Sequence, residues 1–188
     1  MLVVRGTQKL RDRVGGHAVD DDATSTGVLG DWFATALFWK PQVALLVNSR
    51  TFLPVFTPLA PAKTLLIRVP SEIATILDLH GVDRASVDAE EKEMQPTGIA
   101  PTNDRRVVGV MNEFAFLGER FYEGDLRALS LRVARTPVGP LREGGGSPDR
   151  ALAAMFGSTP PEPAPEADSE PEQLAKVIPF PGPRRTGR

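Results

Sequence analysis

The chain has 188 residues, 22 basic and 24 acidic side chains and a formal net charge of -2. Its length fits one domain with appendages, and its charge balance argues against a protein organised around a basic field for nucleic acid or an anionic membrane. It contains no cysteine and only two histidines, His17 and His80, so disulfides, thiolate zinc, a cysteine nucleophile and a three-histidine zinc site within one chain are all excluded. Any metal site would be mostly oxygen-liganded unless subunits share ligands. The first nine residues hold too short an apolar stretch for a secretory signal. No later run approaches the roughly 18 apolar residues of a membrane span, so the expectation is a cytoplasmic protein without membrane contact.

In chain order, Leu2-Val3-Val4 predicts a first strand, followed by a short helix from Thr7, as cap, to about Val14. Residues 15–30 read as a polar loop in which Asp20, Asp21 and Asp22 form either a solvated turn or a cation cradle, without calcium-loop spacing. Residues 32–39 and 43–48 are apolar runs joined by Lys40-Pro41-Gln42, the pattern of a β-hairpin. Their near-continuous hydrophobicity calls for a helix layer over one side of the sheet. Residues 51–56 continue the run, with Pro54 confining any strand to an edge.

Ser71 predicts the cap of a helix ending at Leu79, with Gly81 as its stop, and residues 83–94 a polar surface helix. Behind Thr102-Asn103-Asp104 comes an apolar stripe of 3.6-residue period through Val107, Val108, Met111, Phe114, Ala115 and Phe121, the mark of a central helix. Alternation at Leu129, Leu131 and Val133 predicts a last strand. Gly144-Gly145-Gly146 then acts as a hinge before a helix opened by Ser147-Pro148-Asp149 and ending at Phe156. Strands and helices mix without βαβ regularity, which gives an α+β fold: one small domain with an antiparallel or mixed sheet and a central hairpin covered by helices. The domain spans residues 1–156. Residues 157–188 hold eight of the 18 prolines and predict a disordered tail. Within that tail, Val177-Ile178-Pro179-Phe180-Pro181 is an apolar island, either a docking motif for a protein partner or a chance feature of a linker.

No phosphate loop, dinucleotide fingerprint, nucleophile elbow or zinc-binding helix is present, and no cofactor is expected. Three polar patches are candidates. Asp31 stands where the loop enters the hairpin and is either a cation or substrate ligand or a turn former bonding nearby N–H groups. Asn103, Arg105 and Arg106 lie at a helix start suited to phosphate or carboxylate, although Asp104 weakens anion binding there. Asn112 sits near Val108 and Phe116 on the same helix, where its amide would meet apolar neighbours and clamp the hairpin or touch a ligand. Its neighbour Glu113 would form a carboxylate pair for acid–base or metal work with Asp31 if the fold brought them together.

The segments RGTQKL (5–10), LGDWFA (29–34), NSRT (48–51), TNDRRVVGVMNEFAF (102–116) and RTP (135–137) resemble a family of uncharacterised bacterial proteins that carry a domain of unknown function. The longest segment is the specific one. The resemblance implies a shared small α+β domain over about residues 1–140 and no established activity. The chain departs from the family pattern at Pro70 and in its Pro-rich tail. The expected function is a non-catalytic binding or accessory domain with a tail available to a partner. The alternatives are a metal-assisted phosphoester hydrolase using Asp31, Glu113 and the arginines, and nucleic-acid binding by Arg105, Arg106 and exposed aromatics.

Overall fold

A computed structural model describes residues 1–144 and 146–159 of the chain. Most of the proline-rich segment, including the 177–181 island, lies outside the described residues, as does Gly145 of the expected hinge. The chain begins with a five-residue strand, β1 (Leu2–Gly6), and a short helix, α1 (Gln8–Arg11). β2 (His17–Ala18), β3 (Trp32–Leu37), β4 (Val43–Asn48) and β5 (Pro54–Pro58) follow. Next come α2 (Leu65–Leu79), α3 (Arg84–Glu93) and β6 (Thr97–Pro101). The fold closes with α4 (Arg105–Phe121), α5 (Leu126–Ala134) and α6 (Pro148–Phe156).

The six strands form one mixed sheet in the order β2-β6-β1-β3-β4-β5. β2, β6, β1 and β3 run parallel, and β3-β4-β5 is an antiparallel meander. The predicted hairpin is present, with Trp32 opposite Asn48 and Leu37 opposite Val43. The architecture is therefore α+β, as the composition of elements implied.

Helices cover both faces of the sheet, not one. Trp32, Ala34, Ala36, Ala44 and Leu46 point to a core with Leu10 of α1, Leu66, Val69, Ile73 and Leu77 of α2, Val87 of α3 and Leu152 of α6. Their alternates Phe33, Leu37, Val43, Leu45 and Val47 meet Val107, Val110, Met111 and Phe114 of α4 and Leu129 and Val133 of α5. This accounts for the unbroken apolar pattern of β3 and β4, since a strand with one wet face would alternate.

Four expectations are corrected. Residues 126–134 form a helix, because Asp125 caps it by accepting from the N–H groups of Arg127 (2.8 Å) and Ala128 (3.2 Å), and its buried residues Leu129, Ser130, Val133 and Ala134 follow a helical period. α2 starts at Leu65 rather than Ser71: the apolar stripe Leu65, Leu66, Val69, Ile73, Ile76, Leu77 carries the helix through Pro70, and the Ser71 hydroxyl donates to the Arg68 carbonyl instead of capping. The Thr7 hydroxyl bonds to that of Thr35 at 3.0 Å rather than capping α1, which stops at Arg11. The expected polar loop contains β2, and β6 is a strand despite its Thr, Gly and Pro.

β5 lies at the sheet edge, as Pro54 required, and α5 packs along it. The N–H of Phe56 donates to the Ser130 hydroxyl at 2.9 Å, so a helix side chain takes the place of a further strand.

Candidate functional site

Two of the motif segments are consumed in holding loops to the sheet. The Arg5 guanidinium, 2 % exposed, donates to Asp31 at 2.7 Å and to the carbonyls of Asp21 (3.0 Å) and Ala23 (2.6 Å). The second oxygen of Asp31 accepts from the N–H of Ser25 at 2.8 Å, so this carboxylate neutralises a buried cation and fastens the 19–31 loop. Asn48 does the same on the partner strand, opposite Trp32. Its amide donates to the Leu29 carbonyl at 2.9 Å and its oxygen accepts from Arg50 N, Thr51 N and the Thr51 hydroxyl. Glu90, buried on the otherwise polar α3, accepts from the N–H groups of Val28 and Leu29, both at 2.9 Å. Gly30 is required where it stands: its φ is +70°, and a side chain would meet the Arg50 guanidinium at 3.0 Å.

The remaining motifs converge at the carboxyl end of the parallel strands. β1 and β6 are neighbours with Gly6 opposite Pro101, so RGTQKL and TNDRR leave the sheet side by side. The first turns toward the face where Leu10 is buried, and the second enters α4 on the opposite face. In open sheets with parallel strands, such a divergence at the carboxyl ends is the place where ligands are held. Asn103 and Arg105 are exposed there and make no hydrogen bond or ion pair with the described residues. Arg106 is engaged: Asp104 accepts from its backbone N–H at 2.8 Å and its guanidinium at 2.8 Å. The hydrogen bond from the Arg106 side chain is the main cause that holds the Asp104 carboxyl below its ordinary range. Only one of the two arginines is therefore open to a ligand, and a fixed carboxylate stands beside it.

α4 runs from the end of β6 across the sheet until Gly118 reaches Trp39 and Phe56. Asn112 and Glu113 lie on its exposed side, so no clamp to the hairpin forms. The periodicity correctly places Asn112 beside Val108 and Phe116, but Phe116 points outward and Val108 is half-buried at the border of the inner stripe made by Val107, Val110, Met111, Phe114 and Gly118. Among the described residues no group of three or more His, Asp or Glu is placed to hold a metal.

A model of one protein family, described as a domain of unknown function (DUF6933), matches residues 3–151. The chain belongs to the DUF6933 family. No curated protein and no solved structure matches. The match takes in β2 to β6, all of β1 but Leu2, and every segment on which the family resemblance rested.

The outer face of α4 is the least self-explained surface of this DUF6933 domain. Arg105, Gly109, Asn112 and Phe116 form one line along it at spacings of a helical turn, and Phe116 is 61 % exposed with the Arg120 guanidinium 6.0 Å from its ring. The two helical glycines differ. A Cβ on Gly118 would lie 2.8 Å from Trp39 and 2.9 Å from Phe56, which explains that glycine, whereas Gly109 has nothing within 4 Å. A second exposed aromatic, Phe38, stands past the end of β3 with Arg13 4.6 Å and Lys9 5.5 Å from its ring centre. Sequence reasoning passed over Gly109, Phe116 and Phe38. A glycine inside a strongly periodic helix was the available signal for the first. A cleft of about 390 Å³ between Gly16, His17, Lys63, Leu66 and Pro96 opens at the amino end of β6 and contains none of these residues.

Proposed function

We propose that this DUF6933 domain is a non-catalytic binding domain whose recognition surface is the outer face of α4. The carrying observation is Gly109. A glycine in a helix interior costs about 1 kcal/mol relative to alanine, and nothing among the described residues crowds this position. Close approach of a partner is the reason that fits, with Phe116 and Asn112 beside it as an apolar anchor and an amide free to bond. Two of the candidate groups are already engaged within the domain: Asp31 neutralises Arg5, and Asp104 holds Arg106. A photo-crosslinking amino acid at position 116, in the full chain and in cells, is expected to give a discrete adduct, while the same group at Arg84, on exposed α3, gives none. Absence of any adduct at 116 would overturn the reading.

A second reading, single-stranded nucleic-acid binding, draws on Phe38 and Phe116, each an exposed ring beside cations. It requires oligonucleotide affinity that falls steeply with salt and is reduced in Phe38→Ala.

A further inference from the structure

We infer that the occupant of the α4 face is a second copy of this chain, its α4 lying antiparallel about a two-fold axis at Asn112. This rests on the reading of that face as a binding surface. Around such an axis, residues equidistant from Asn112 oppose each other. Arg105 is seven residues before it and Glu119 seven after, so each Arg105 faces a Glu119 of the other copy. Arg105 and Glu119 are both exposed, and Arg105 has no ion partner among the described residues. A parallel arrangement would instead set Arg105 against Arg105.

Packing agrees with charge. Phe116, four residues after Asn112, opposes Val108, four before it, and so enters the hollow bounded by Arg105, Val108, Gly109 and Asn112. Those positions, i, i+3, i+4 and i+7, make a hole for a side-chain knob between two helices. Gly109 leaves that hole empty in the single domain, with nothing within 4 Å. By symmetry the hole on each helix receives the ring of the other, as in an isologous two-fold interface. At the axis the two Asn112 amides face each other, each with a donor and an acceptor to exchange. One helix face makes a small interface, so the dissociation constant expected is on the order of 10 μM.

The absence of cysteine supplies the test. Asn112→Cys introduces a lone thiol at the axis, and mild oxidation of the full chain is expected to give a disulfide-linked dimer, whereas Arg84→Cys stays monomeric. Sedimentation equilibrium from about 1 to 300 μM is expected to show reversible dimerisation of the natural sequence. Phe116→Asp, at an exposed position that leaves the fold intact, weakens it about tenfold or more. Arg105→Glu weakens it and Arg105→Glu with Glu119→Arg restores it. A monomer throughout that range, or a dimer indifferent to Phe116→Asp, overturns the inference. A crosslinked adduct at 116 with a different protein overturns the second copy while sustaining the binding face, and no adduct of any kind ends both.

Discussion

Bringing the pH from 7 to 4 is expected to weaken the fold by about 3 kcal/mol through His80 alone. This side chain closes α2, is 2 % exposed, and neither ring nitrogen has a hydrogen-bond partner among the described residues. Burial lowers its pKa from 6.5 to about 4; the negative charge of Asp149 opposes that shift and the positive charge of Arg135 adds to it. The unfolded chain therefore binds a proton at higher pH than the folded one. The stability His80 contributes is fully present above about pH 6.5, declines as the pH falls, and is gone below about pH 4. A gap of about 2.5 pH units at about 1.4 kcal/mol each caps the loss near 3.4 kcal/mol, most of it spent by pH 4. Urea titrations of the natural sequence and His80→Leu at intervals from pH 7 to 4 isolate the imidazole and its coupling to Asp149, because the titrating groups that do not face it contribute equally to both. The difference between the two proteins is expected to shift by about 3 kcal/mol in favour of the variant as the pH falls. Parallel stability curves, within about 0.5 kcal/mol of each other across the range, would refute the argument that a neutral, buried imidazole is held here.

Gly109→Ala is expected to stabilise the isolated domain by about 1 kcal/mol, since it lowers the conformational entropy lost on folding and its methyl enters open space. Gly118→Ala is expected to destabilise it by about 1–3 kcal/mol through collision with Trp39 and Phe56. Both are read from urea midpoints at low protein concentration, and a like sign for the two would contradict the contrast drawn between them. Asp31→Ala strands the buried Arg5 guanidinium and is expected to cost about 3–5 kcal/mol, seen as a lowered melting temperature by circular dichroism. Glu90→Ala leaves the N–H groups of Val28 and Leu29 without their acceptor, with a loss of about 2 kcal/mol and faster amide exchange at those two residues.

The sequence is most legible where one signal dominates. The β3-β4 hairpin and α4 follow from long apolar runs with clear periods, and the edge position of β5 follows from a single proline. α5 was misread because Leu129, Leu131 and Val133 satisfy a period of two, while the decisive Asp125 cap lies outside that window. β6 was missed because Thr97, Gly98 and Pro101 are poor strand formers, and its place is set by pairing with β1 on one side and β2 on the other. For the site, sequence picks out the right stretch, residues 102–116, but not the side of the helix that faces out. That side depends on which stripe the sheet covers, and it moves Asn112 from a clamp to an exposed amide. Asp31 shows the converse case: its partner Arg5 lies in β1, and only the adjacency of β1 and β3 brings the two together.

The Ser130 hydroxyl at the N–H of Phe56 has a bearing on how this protein behaves when crowded. An outer strand with open amides is a template onto which other chains can add without limit, the route to fibres. Here one border of the sheet is occupied by α5 and ends in prolines 54 and 58, and the other is a strand of only two residues. Growth by strand addition is thus closed in both directions. High concentrations during synthesis or storage are expected to produce finite, reversible species through side-chain contacts and not β-rich aggregates.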